Sequence, residues 1–188
     1  TVPTIMTHSV VALSAGCVFN RTGASKRLWV LAIIAAVLPD ADVIGYQYLY
    51  IPYGHVLGHR GFFHSPFFAV LISLVMVTLF FRQERILTLR WWAHALFFFA
   101  VGASHGLLDA MTDGGRGIAL LSPFSNERYF LPWTPIEVSP LTVRAFLSQR
   151  GLIVMKSEIL WVWGPALLIA LCAWGARRFL FRLSGKQT

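Results

Sequence analysis

The sequence predicts an all-α protein, a polytopic membrane bundle of about five transmembrane helices carrying a polar cap on its outer face. Three observations carry that prediction. Apolar residues make up 56% of the 188-residue chain and charged residues only 13%, against roughly 45–50% and about 25% in soluble domains. The apolar residues gather in runs that approach the length needed to cross hydrocarbon. The basic residues stand in short clusters between those runs, so the net charge of +8 reads as membrane topology and not as a nucleic-acid footprint.

The first run extends from Thr4 to Phe19. It lacks a basic start, a short apolar stretch and a small-residue cleavage site, so it is expected to stay in the mature protein. The second, Leu28 to Leu38, is closed by Pro39 and two aspartates. The third, Pro66 to Phe81, and the fourth, Trp91 to Leu108, are cleaner, and the fifth runs from Ile159 to about Leu180. Ala110 to Ser157, 48 residues, is too polar to span and is expected to fold as the cap of a single membrane-embedded domain covering 1–188. Within it, Leu141 to Met155 mixes apolar and basic residues and is expected to lie along the surface as an amphipathic gate. Trp91, Trp92, Trp161 and Trp163 near run ends suit interfacial belts. Cys17 and Cys172 lie inside apolar runs without metal or disulfide spacing and read as buried hydrophobes.

Basic residues flanking short loops favour the cytoplasm. Arg21, Lys26 and Arg27, then Arg82, Arg85 and Arg90, then Arg177, Arg178, Arg182 and Lys186 fall on one side if the chain crosses five times. That side is expected to be cytoplasmic, which leaves the Asp40 to Ser65 loop and the cap outside.

This topology gathers ionisable residues at the outer face. His8 starts the first run there, Asp40 and Asp42 end the second, His59 and His64 precede the third, His105 and Asp109 close the fourth, and Glu158 opens the fifth. His105 and Asp109, four apart, share one helix face and can bind one ion. Asp40 and Asp42 follow a proline, so their carboxylates can serve different ions or divide into ligand and base. His59 and His64 flank a glycine turn. Imidazole with carboxylate suits zinc, with manganese or iron as alternatives, and eight donors exceed what one tetrahedral ion needs, so two or three ions are expected. Any one of these residues alone would read equally well as a polar anchor; their joint placement is what points to a site, because ionisable groups in spanning segments are costly. His94 and His55 have no such neighbours and are set aside.

The motifs T-H-S at His8, L-P-D-A-D at Leu38 to Asp42, H-R-G-F-F-H-S at His59 to Ser65 and H-G-L-L-D-A-M-T at His105 to Thr112 resemble the YdjM-like inner-membrane proteins, described as LexA-regulated, membrane-bound metal-dependent hydrolases. S-P-F-S-N-E-R-Y at Ser122 to Tyr129 and Glu158 before W-V-W are similar to further segments of that family. The family in turn is remotely similar to zinc-dependent phospholipase C and the P1-type nucleases. By that similarity His105 and Asp109 match a ligand pair and an aspartate of L-P-D-A-D matches a bridging carboxylate, although the N-terminal tryptophan ligand of the soluble enzymes is missing. The resemblance implies an inner-membrane phosphoesterase whose site faces the periplasm.

The expected function is therefore metal-dependent hydrolysis of a lipid-linked phosphate, of phospholipid or polyprenyl phosphate type, at the outer interface. Asp40 or Asp42 would act as base, and Arg60 and Arg128 would orient the phosphate, because guanidinium forks fit phosphate oxygens. Membrane lipids are the expected partners. A transporter or metal-handling protein would use the same residues as a pathway, but transport sites lie near the midplane between repeats, and no repeat is visible here. In a non-catalytic scaffold the polar cluster would only hold helices together.

Overall fold

A computed structural model describes residues 3–19, 25–140 and 142–184. The described residues are helical, without strands, and carry two isolated bridges, Thr112 with Ile136 and Ile118 with Tyr129. Helix α1 covers Ile5–Phe19, α2 Lys26–Val37, α3 Asp42–Tyr48, α4 Pro66–Phe80, α5 Leu89–Ala110, α6 Val143–Phe146, α7 Gln149–Glu158 and α8 Gly164–Ser184.

Local chemistry sets the helix starts. Ser25, Ser65 and Thr88 each accept a hydrogen bond from the backbone N–H three residues on, at Leu28, Phe68 and Trp91, and so satisfy donors that a helix start leaves open. Pro66, at the first position of α4, loses no bond there. Pro39 falls in a tight 3₁₀ stretch, Leu38–Ala41, that links α2 to α3, so Lys26–Tyr48 continues as one helical rod with a changed pitch midway. A π-helical turn, Ile159–Trp163, joins α7 to α8 in the same way.

The helices pack as α4 on α5, α1 on both α2 and α8, and α2 on α5. Ala32, Ala35 and Ala36 of α2 are buried against Phe98 and Val101 of α5 and Val77 of α4, in one apolar cluster. Small residues on α2 bring the helix backbones close, which is how helices associate when lipid tails already solvate apolar side chains. Helix α8 does the opposite. Leu167, Leu168, Ile169, Leu171 and Trp174 are exposed, and only 11% of its most apolar stretch is buried, so this helix needs a hydrocarbon environment.

Each of the five apolar runs forms a helix. Two helical stretches, Lys26–Tyr48 and Gln149–Arg182, are long and apolar enough to cross a membrane. Helices α1 and α4, with 15 residues each, measure about 22 Å against about 30 Å of hydrocarbon. Helix α5 has the length, at 22 residues, but carries His94, Ser104, His105 and Asp109.

The cap is smaller than the sequence suggests. Residues Gln149 to Ser157 belong to α7, which continues into α8, because helical hydrogen bonding carries through the π turn without a break. Of the expected gate, Leu141 lies outside the described residues; the remainder forms α6 and most of α7, with Leu147 and Leu152 exposed and Gly151 and Val154 buried. Arg21 and Lys186 also lie outside the described residues. Lys26, Arg27 and Arg90 stand at helix ends opposite those that carry Asp40 and Asp109, and Arg27 packs over the Phe81 ring at 5.1 Å, which gathers the basic residues at one end of the bundle.

Candidate metal centre

The end of the bundle opposite Lys26 and Arg90 brings side chains from four elements together. Helix α1 supplies His8, and the 3₁₀ stretch after α2 supplies Asp40. The turn before α4 supplies His64, and α5 supplies His105 and Asp109. Asp40 Oδ1 lies 3.5 Å from His105 Nε2 and 3.8 Å from His64 Nε2. Asp109 Oδ2 lies 3.2 Å from His64 Nε2 and 3.9 Å from His105 Nε2, and its Oδ1 lies 3.7 Å from His8 Nε2. Donors around a single ion with bonds near 2.1 Å stand roughly 3.0–3.4 Å apart, the edge of an octahedron or tetrahedron. The observed separations are slightly wider and need only a small contraction.

Burial makes the arrangement chemically demanding. His8, His64, His105 and Asp109 are at most 3% exposed. Among the described residues, fourteen buried side-chain nitrogens and oxygens lack a hydrogen-bond partner, and eleven of them belong to His8, Asp40, His59, Arg60, His64, His105 and Asp109. Each unmet buried polar group costs about 1–3 kcal/mol, so a native protein does not collect eleven at one point without something to satisfy them. The charges agree. Asp40, Asp42 and Asp109 outnumber Arg60, so the cluster attracts positive charge. Burial opposes a charge on His64, but the carboxylates of Asp109, Asp40 and Asp42 overcome it and hold this imidazole well above its ordinary pKa, a further sign that the cluster draws positive charge. His8, Asp40 and His105 form one group and His64, His105 and Asp109 another, sharing His105, that could hold a metal ion.

Hydrogen bonds behind the facing atoms orient these groups. His105 Nδ1 bonds the Ala36 carbonyl at 2.7 Å, which turns Nε2 toward the cluster. Asp42 faces away from the centre: its Oδ1 pairs with His59 Nδ1 at 2.7 Å, its Oδ2 accepts from the Arg60 backbone N–H at 3.1 Å, and Oδ2 also lies 3.1 Å from His64 Nδ1. Asp42, His59 and His64 are close enough to form a ligand triad of their own, as the sequence suggests for Asp42 and His59, and the 2.7 Å contact between Asp42 Oδ1 and His59 Nδ1 equally lets the pair position the other donors.

Arg60 and Arg128 are both engaged with the protein. Arg60, fully buried with φ of 62°, donates from its two terminal nitrogens to the Gly114 carbonyl and to Thr112 Oγ1, both at 3.0 Å, while Nε lies 3.4 Å from Asp109 Oδ2. Arg128 donates to the carbonyls of His59, Arg60 and Tyr53 and lies over the Tyr53 ring at 4.8 Å. Burial lowers its pKa below the ordinary guanidinium value. The cap thus clamps the histidine loop, and both arginines act as braces.

Glu158 is apart from the cluster. Its carboxylate accepts from the Thr4 backbone N–H, Thr4 Oγ1 and Thr7 Oγ1, each at 2.6 Å, and Trp163 Nε1 donates to the same Thr7 oxygen at 2.6 Å. Those bonds fill Glu158 and pin the start of α1, with Thr7 held beside His8. His94, bonded to the Arg90 carbonyl, and His55, accepting from Leu57, stand away from the centre.

Residues 3–182, nearly the whole chain, match the family described as YdjM inner membrane protein. The chain belongs to the YdjM inner membrane protein family. It is 40% identical over 176 residues to inner membrane protein YbcI of Escherichia coli (strain K12), covering 94% of this chain and 99% of that one. No solved structure matches it. Membership places the chain at the inner membrane, in keeping with the lipid-demanding face of α8. The YdjM-family chain also uses residues that its sequence leaves unremarked. Thr112, at the end of H-G-L-L-D-A-M-T, receives Arg60 and donates to the Asp109 carbonyl at 2.7 Å. Gly106, between His105 and Asp109, sits against the His64 carbonyl, where a Cβ would collide. Its place inside a histidine motif was the available signal.

Proposed function

We propose that this YdjM-family chain is a multi-pass, metal-dependent hydrolase of the inner membrane, a phosphoesterase acting on a lipid-linked phosphate at the periplasmic interface. The observation that carries the reading is the buried convergence of three imidazoles and two carboxylates whose facing atoms have no partner. Five crossings, with α1, α4 and α5 spanning beside the two longer rods, put the basic helix ends in the cytoplasm and the cluster outside.

His8, His64, His105, Asp40 and Asp109 would hold a divalent ion, and the number of donors leaves room for two or three. Three imidazoles with carboxylates suit zinc, and manganese or iron fit the same donors. When bound, the ion lowers the pKa of water and neutralises charge on a phosphoryl oxygen. The chain's own groups do the rest. Asp40, whose carboxylate oxygens accept no hydrogen bond from protein, would help hold the ion and could accept a proton from water as base. Arg60 and Asp42 keep Asp109, His59 and His64 in register, and the cap excludes bulk water from their far side.

The test is elemental mass spectrometry on detergent-purified protein, comparing wild type with folded Asp109→Ala and His64→Ala variants, followed by a screen of lipid phosphates. At least one equivalent of zinc or manganese in wild type, lost in both variants, is the expected result. Absence of metal after reconstitution with either ion would sink the hydrolase and leave a polar scaffold in its place.

A further inference from the structure

A groove of about 850 Å³ runs between α1 and the α2–α3 rod and is also lined by Ser139, Pro140, Thr142 and Phe146. That volume falls within the roughly 300–1,000 Å³ of small-molecule pockets. Its walls are hydrocarbon, chiefly Ile5 and Met6 on α1, Ile34 and Val37 on α2, Ile44 on α3, and Phe146. The polar side chains along it are already occupied. Thr4 donates to Glu158, Ser9 to the Ile5 carbonyl and Ser139 to the Pro140 carbonyl, while Thr142 accepts from the Ala145 N–H. Asp40 is the exception, the one ionisable residue lining the groove among those described, with neither carboxylate oxygen hydrogen-bonded. Because the other members of the cluster are buried, Asp40 is where the groove meets the metal centre.

We propose that this groove receives an acyl chain of a membrane phospholipid, which enters sideways from the bilayer and brings its phosphate to Asp40. The proposal rests on the metal-centre reading, since a phosphate beside an aspartate needs a cation there. It adds the substrate class and its route. Ile5, Met6, Ile34 and Ile44 are 42–59% exposed, a surface that hydrocarbon solvates and water does not. A lipid tail sliding in exchanges one hydrocarbon environment for another, so the groove needs no high affinity of its own. Selection falls to the headgroup at Asp40. A water-soluble phosphate would have to cross an apolar vestibule.

The experiment uses metal-loaded protein in nanodiscs of phosphatidylethanolamine and phosphatidylglycerol doped with phosphatidic acid carrying a diazirine in its acyl chain. Photolabelled peptides are mapped by mass spectrometry after metal content is measured. Labelling is expected on the α1 and α2–α3 wall above the level on α8, falling several-fold in Ile34→Trp, which fills the groove, and not in Leu168→Trp on the outer face of α8. Met6→Trp fills the groove from the opposite wall and serves if Ile34→Trp does not fold. Protein that holds metal yet labels α8 as strongly as the groove, or labels the groove equally in the filled variants, overturns the lipid route alone. Protein that holds no metal overturns the metal-centre reading and this one with it.

Discussion

Asp42 separates from Asp40 although only Ala41 stands between them in the sequence. Asp40 faces three imidazoles with both oxygens unpartnered, whereas Asp42 is filled by His59 Nδ1 and the Arg60 N–H. On the proposed reading the first would touch an ion and the second would hold the groups that do. Replacing a positioning carboxylate typically weakens metal affinity by about 10–100-fold without abolishing it. Asp42→Asn is therefore expected to retain metal at saturating concentration and lose affinity in that range by competition with a chelator, while Asp40→Asn loses catalysis even when loaded. Equal loss of metal in the two variants would return Asp42 to the ligand set.

Helix α5 meets the turn around His64 through a single missing side chain. A Cβ on Gly106 would strike the His64 carbonyl, so glycine is what allows that turn to lie on the helix between His105 and Asp109. Alanine raises helix propensity at an interior position by about 1 kcal/mol. Gly106→Ala should leave α5 intact by circular dichroism and still lower metal content, because His64 must move away from Asp109. An unchanged metal content would mean that the turn yields without cost. The π turn after Glu158 has a comparable geometric effect, bringing Trp163 to Thr7 and anchoring α1 beside His8.

The assembled bundle separates two chemistries along its length. Alanines and aromatics pack one end beneath the basic helix ends, and carboxylates and imidazoles fill the other beneath the cap. The proposed five crossings would put the end of α8 in the cytoplasm, so green fluorescent protein fused after Ser184 is expected to fluoresce, and alkaline phosphatase inserted at the exposed Phe124 of the cap to be active. The reverse pattern would place the cluster on the cytoplasmic side and change the substrate pool.

By itself the sequence determined which kinds of residue meet and roughly where along the helices they lie. Apolar runs follow from composition, the pairing of His105 with Asp109 follows from helical pitch, and Pro39 announced the break that aims Asp40. Those are local properties, set by residues within one or two turns. Only the tertiary structure decided the roles. Glu158 reads as a ligand because it is ionisable and ends a run, yet threonines more than 150 residues away satisfy it. Arg60 reads as a phosphate fork, yet its backbone turns the guanidinium inward to Asp109 and Thr112. A polar side chain's chemistry depends on which of its lone pairs and protons remain unmet after folding, and distant segments of the chain supply the partners.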